Sequence, residues 1–167
     1  MTLTAPTGRL HTLTAIFLTL AMMATVGTAL GFQHIGGFIP CKLCLEQRIP
    51  YYLGIPVVLL AAISGALRWT PVLTRGLLLV GGGLMLWGLW LGGYHAGVEW
   101  GWWAGPADCG VVAAPSNSGS LLDQLNAVVP PSCDEAAGRF LGLSFAGWNV
   151  IASALLAAIA LRAAFRR

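Results

Sequence analysis

Charge is scarce in this chain. Only 9% of its 167 residues are Asp, Glu, Lys or Arg, while 57% are hydrophobic; a soluble globular domain carries roughly 25% charged residues. So few charges do not clothe a water-facing surface of this size. That excludes an ordinary soluble domain and leaves lipid as the solvent for much of the chain. The basic residues form no stripe, which argues against nucleic acid as a partner. No pattern of strands alternating with helices is present, and this excludes a soluble thioredoxin fold. Cysteine is confined to Cys41, Cys44, Cys109 and Cys133, none of them inside a long apolar run. An even count is compatible with two disulfides, in more than one pairing.

What the chain has in abundance is apolar sequence. A lipid-spanning helix needs about 20 apolar residues, because the hydrocarbon core is roughly 30 Å thick and a helix rises about 1.5 Å per residue. Four segments qualify: 10–30, 49–67, 76–94 and 143–161. Each is apolar on all sides, as a membrane helix is. The expected fold is an all-α membrane protein, a four-transmembrane-helix bundle forming a single domain over 1–167, with outer loops at 31–48 and 95–142. The first segment has some features of a cleaved signal peptide, but its length and the similar segments behind it favour a retained helix. Pro50 suits the first turn of the second helix, and Pro56, deeper in, is expected to kink it. Gly81, Gly82, Gly83, Gly88, Gly92 and Gly93 in the third segment predict close helix packing rather than a ligand site.

Charge placement gives an orientation. Arg9 precedes the first segment, Arg68 and Arg75 separate the second from the third, and Arg162, Arg166 and Arg167 follow the fourth. The positive-inside rule puts these regions, and both termini, in the cytoplasm. The remaining cations, Lys42, Arg48 and Arg139, and all acidic residues fall in the two outer loops, as do all the cysteines. The cytoplasm keeps thiols reduced whereas the bacterial periplasm favours disulfides, so topology and cysteine placement agree on a bacterial inner-membrane protein with periplasmic loops. Trp100, Trp102 and Trp103 at one face, and Trp69 at the other, read as interfacial anchors. Within the second loop, Leu121, Leu122, Leu125, Val128 and Val129 recur at helical spacing. This predicts a short amphipathic helix over 120–129, lying on the membrane surface or packed on the protein.

The chemistry centres on Cys41-Lys42-Leu43-Cys44, a Cys-x-x-Cys pair just before the second helix. Such pairs commonly lower one thiol's pKa and so supply a thiolate at neutral pH; Lys42, Arg48 and a helix N-terminus act in the same direction. A c-type haem site needs His after the second Cys, where Leu45 stands. A structural zinc site needs four ligands at metal spacing, and no second Cys-x-x-Cys occurs, so no metal is expected from the spacing. A purely structural disulfide is the competing reading. Cys109 and Cys133 form a second pair across a long polar loop. They act either as a staple or, with another pair on the same face, as a partner in thiol–disulfide exchange.

Pro40-Cys41-Lys42-Leu43-Cys44-Leu45-Glu46-Gln47-Arg48 resembles the Pro-Cys-x-Leu-Cys-x-x-x-Arg signature of the disulfide bond formation protein B (DsbB) family. Phe140-Leu141-Gly142-Leu143 with Trp148 is similar to that family's entry into its last helix, and the topology matches along nearly the whole chain. The resemblance implies a thiol:quinone oxidoreductase. A reduced, periplasmic, thioredoxin-like DsbA-type partner attacks a Cys109–Cys133 disulfide, at Cys109. Electrons pass to Cys41–Cys44, and Cys44 meets a membrane quinone, ubiquinone or menaquinone, as thiolate. Arg48 matches the family's quinone-site arginine, a fixed cation for negative charge developing on a quinone oxygen; otherwise it is an interfacial arginine snorkelling to headgroups. His95 holds a matching place at the outer end of the third helix, near the quinone or simply hydrogen-bonded in the interface. Gln47 stands where some relatives carry Glu, and His34 and Glu99 read as solvated loop residues.

Two rival readings differ in class. A protein similar to vitamin K epoxide reductase also has a four-helix bundle, two cysteine pairs and a quinone, but its Cys-x-x-Cys lies late in the chain. A non-enzymatic membrane scaffold would carry the same cysteines as inert staples.

Overall fold

The computed structural model describes residue 4, residues 6–106 and residues 132–166. Cys109 and the expected amphipathic helix over 120–129 lie outside the described residues. The architecture is a helical bundle: α1 (Arg9–His34), a one-turn α2 (Lys42–Glu46), α3 (Ile49–Ala66), α4 (Pro71–Glu99) and α5 (Phe145–Phe165). Four of the spans, α2 and α3 being read as one, are long and apolar enough to cross a membrane. The four-transmembrane-helix expectation is therefore met.

Burial supports lipid as the outer solvent. Only 28–39% of each span is buried within the protein. Phe17, Leu20, Leu53, Leu60, Val80, Leu86, Trp90 and Leu155 all face outward, a continuous apolar surface far beyond what a soluble monomer displays. Inside, Ala15, Leu18 and Met22 of α1 meet Tyr51, Val58 and Ala61 of α3, Leu78 and Met85 of α4, and Leu156, Ala157 and Ala160 of α5. The glycines of α4 let the backbones close up. A Cβ on Gly82 would lie 2.8 Å from Leu161 Cδ2 of α5, and one on Gly92 would lie 3.3 Å from the Val150 backbone nitrogen, while Gly81 abuts Val58 of α3. Gly83 and Gly93 have open space instead, so the packing role belongs to one face of the helix.

The third span is longer at both ends than its apolar run. Thr70 occupies its N-cap position without a side-chain bond to the helix, and Pro71 stands in its first turn, where a missing N–H is no loss. At the far end Gly101 takes φ +70°. The Trp102 N–H then reaches the Gly97 carbonyl at 2.9 Å and the Gly101 N–H reaches Val98 at 3.0 Å, a Schellman stop. The extension carries three residues expected in loops into the helix. Arg75 is 1% exposed and donates to the Ala164 carbonyl at the end of α5 at 2.8 Å, a cation placed on a helix C-terminus. His95 and Glu99 are the other two.

Before α5, Arg139–Phe140 (β1) and Leu143–Ser144 (β2) pair antiparallel, Arg139 with Ser144 and Phe140 with Leu143. Leu141 and Gly142 both have positive φ, 53° and 85°, as a tight two-residue hairpin demands. Trp148 Nε1 donates to the Phe140 carbonyl at 2.9 Å, which fixes this hairpin to the head of α5. The Ser144 hydroxyl then caps α5 by accepting from the Gly147 N–H at 3.1 Å.

Candidate active site

One end of the bundle gathers the chemistry. Cys41 is the N-cap of α2. Its Sγ accepts from the Cys44 N–H at 3.4 Å and lies 3.2 Å from Cys44 Sγ; both cysteines are free thiols. His95 approaches from α4, its Nε2 at 3.7 Å from Cys41 Sγ. Cys133 is disulfide-bonded and 2% exposed, and it packs in one small cluster with Cys41, Leu43 and Val98, with Cys44 and Tyr94 against it. The fold thus brings a bonded sulfur from the second outer loop against the dithiol of the first.

The two thiols are not equivalent. Cys41 is 3% exposed, and its thiol is held well below the ordinary thiol range. The chief cause is the hydrogen bond from Cys44, with burial opposing it and with His95 and the Cys44 backbone N–H adding to it. Cys44 instead lines a cleft of about 510 Å³ between α1, the α2–α3 junction and α5. The lowered Cys41 pKa has a signed consequence. An ordinary thiol, pKa about 8.5, is protonated at about pH 6, whereas the ultraviolet thiolate absorption of the reduced protein is expected to persist there and fade only on further acidification. His95→Ala should move that loss toward higher pH. A thiolate signal that vanishes in the ordinary thiol range would contradict the assignment.

The cleft has an apolar ring-shaped wall and a polar floor. Phe32, Phe38 and Phe145 form the wall, with centroids 4.8 Å apart for Phe32–Phe145 and 5.6 Å for Phe38–Phe145. Arg48, the N-cap of α3, reaches into it and donates through Nη1 to Gln33 Oε1 at 2.6 Å. Gln47, Tyr51 and Asn149 complete the floor. They belong to one chain of hydrogen bonds. Gln47 Nε2 donates to His95 Nδ1 at 2.6 Å, Asn149 Nδ2 donates to Gln47 Oε1 at 2.7 Å, and the Tyr51 hydroxyl donates to Asn149 Oδ1 at 2.7 Å. With Nδ1 accepting, the ring proton of His95 sits on Nε2, facing Cys41.

Of the residues singled out in sequence, Cys41, Cys44, Arg48 and His95 converge here with Cys133. His95 sits on the Cys41 side and is not among the cleft-lining residues. Glu99, expected in solvent, is corrected: its side chain is 4% exposed and Oε1 lies 3.8 Å from His95 Nε2, because α4 continues past the point where the apolar run stops. Tyr51, Asn149, Ser153 and Gln33 were missed. The usable signal was polarity inside an apolar span, which in a membrane marks a site more often than a surface; Asn149 and Ser153 stand four apart on α5.

A membrane bundle with a free Cys-x-x-Cys dithiol at one end and a disulfide-bonded cysteine in the same buried cluster defines the class of integral-membrane thiol oxidoreductases. More narrowly, the family model of disulfide bond formation protein DsbB matches residues 11–163, and the chain belongs to that family. It is a multi-pass membrane oxidoreductase of disulfide bond formation. A disulfide bond formation protein B of Marinobacter nauticus is 31% identical, covering 91% of this chain and 89% of that one. Another, of Albidiferax ferrireducens, is 28% identical over 90% of this chain and 86% of its own. The match to a protein of that name from Ralstonia nicotianae is 44% identical but spans only 48% of each chain. No solved structure matches the chain.

Proposed function

We propose that this protein reoxidises a periplasmic, thioredoxin-like DsbA-type dithiol and passes the electrons to a membrane quinone, ubiquinone or menaquinone, from the inner membrane with both termini cytoplasmic. The single observation that carries the reading is the position of the inner pair: Cys41 shares one small buried cluster with the disulfide-bonded Cys133, while Cys44 opens to a ring-lined cleft. Sulfur exchange and electron delivery then have separate faces.

The partner's thiolate attacks Cys109 of a Cys109–Cys133 disulfide, and Cys133 leaves as thiolate. Cys133 attacks Cys41 of the oxidised inner pair, and the Cys41–Cys44 bond breaks. The partner's second thiolate then closes its own disulfide and releases Cys109 as thiolate; Cys109 attacks Cys133, Cys41 leaves, and the inner pair is left as the dithiol seen here. A quinone in the cleft supplies acceptance of two electrons and two protons, the balance of one disulfide formed. Cys41, already ionised, is the sulfur that closes onto Cys44 as the electrons depart at the cleft. Arg48 stabilises negative charge arising beside it, and the Gln47–Asn149–Tyr51 floor offers hydrogen bonds at fixed positions. Aromatic rings and polar side chains gathered in one cleft suit a flat apolar ring with polar edges.

Purified protein given a reduced thioredoxin-like dithiol and a soluble quinone is expected to turn over, followed as loss of quinone absorbance. A disulfide at Cys133 that resists the partner, with no quinone consumed, would leave the scaffold reading in place.

A further inference from the structure

Sequence spacing offered no metal site, yet the fold assembles one set of donors. Cys41 Sγ, Cys44 Sγ and a nitrogen of His95 all lie within 4.8 Å of one another. Glu99 adds a carboxylate whose Oε1 is 3.8 Å from His95 Nε2. Its Oε2 is buried without a hydrogen-bond partner among the described residues. A buried carboxylate oxygen without a described partner, beside two sulfurs and an imidazole, is an unmet polar group and costly to keep buried. A divalent cation at this point would relieve it.

We infer that the reduced form of the protein binds one zinc-like divalent cation between Cys41, Cys44, His95 and Glu99. The donor set, two thiolates with imidazole and carboxylate, suits zinc rather than a hard cation. Bond lengths of about 2.3 Å to sulfur and about 2.0–2.1 Å to nitrogen, in a tetrahedron, place ligand atoms roughly 3.3–3.8 Å apart. The observed separations are 3.2 Å between the sulfurs, 3.7 Å from Cys41 to His95 and 3.8 Å from His95 to Glu99. Glu99 stands outside the three-donor group and has to swing toward the sulfurs to complete the tetrahedron. The Cys44 N–H to Cys41 Sγ bond already supports sulfur charge at the head of α2. Gln47 supports the imidazole: with the metal on Nε2 the ring proton moves to Nδ1, and the Gln47 and Asn149 amides turn together, so that Gln47 Oε1 accepts from Nδ1 and Asn149 Oδ1 accepts from Gln47 Nε2.

The consequence is redox-linked. Metal and disulfide compete for the same two sulfurs, so only the dithiol binds, with release of its thiol protons and no electron transfer. A bound cation holds the inner pair reduced and stalls the enzyme until it is removed by a chelator. Binding itself requires neither quinone nor partner, so its failure would leave the proposed electron relay standing.

The test uses full-length protein in detergent, reduced with a phosphine, and titrated with Co²⁺ as a spectroscopic stand-in and with Zn²⁺ in competition. The expected result is one Co²⁺ per chain, with tetrahedral visible bands and sulfur-to-metal charge transfer, displaced by Zn²⁺ and abolished by prior oxidation. His95→Ala, which leaves every cysteine in place, should lose the tetrahedral spectrum. Gln47→Ala should weaken binding by roughly 10- to 100-fold while retaining that spectrum. Binding that survives oxidation, or that is unchanged in both variants, overturns the inference, as does absence of stoichiometric binding to the reduced wild type.

Discussion

Cys44→Ser is expected to stop quinone reduction completely while a reduced dithiol partner still opens the Cys133 disulfide once per chain and then stalls. The reason lies in the division of labour between the inner sulfurs. Cys44 is the thiol that lines the cleft, and without it there is no inner dithiol whose closure to a disulfide releases two electrons. Cys133 and its contact with Cys41 are untouched, so the outer exchange retains its first step. Serine is close in size to cysteine and caps or hydrogen-bonds readily, so the fold should survive; retained helicity and an unaltered thermal midpoint would show it. Quinone absorbance and partner oxidation, recorded together, separate the steps. If Cys44→Ser turns over at the wild-type rate, Cys44 is not the sulfur from which electrons leave.

The sequence made the spans and the sulfur chemistry legible for different reasons. Apolar run length is a one-dimensional property, and lipid imposes it directly, so α1, α3, α4 and α5 could be read without any knowledge of packing. The Cys-x-x-Cys pair is likewise local. Its hydrogen bonds are made within one helical turn, from Cys41 to Cys44. Glu99 was misread because a charged residue just beyond an apolar run looks like loop, whereas the stop of α4 depends on Gly101 and on carbonyl pairing that hydropathy does not register. Arg75 hid in the same way at the other end of that helix, where its partner is the Ala164 carbonyl, 89 residues away. The polar floor is the hardest case. Gln47, Asn149 and Tyr51 come from α2's end, α5 and α3, and their mutual bonds follow from helix order in space. Polarity within an apolar span was the available signal for Asn149 and Tyr51 and went unread; only the packing of the helices joins them to His95 and thereby to Cys41.

Arg48→Ala is expected to lower the efficiency of quinone use by about 10²- to 10³-fold, the usual effect of removing a preorganised donor at developing negative charge, while leaving the partner's KM near wild type. The guanidinium is tethered at the cleft. Its backbone starts α3, its Nη1 is held by Gln33 Oε1 across to α1, and it lines the same cleft as Cys44. That tether sets the direction of the remaining N–H groups and costs little reorganisation when charge appears. Arg48→Lys should fall between the two, because an ammonium keeps the charge but loses the planar fork that binds Gln33 and a ring oxygen together. Gln33→Leu should produce a smaller version of the alanine effect by releasing the guanidinium without removing it. A snorkelling arginine would behave differently: exchanging it for alanine would disturb insertion or thermal stability and leave quinone kinetics alone. Initial rates measured against quinone at saturating partner, and against partner at saturating quinone, distinguish the two; an increase in the partner's KM with unchanged quinone kinetics would remove Arg48 from the cleft chemistry.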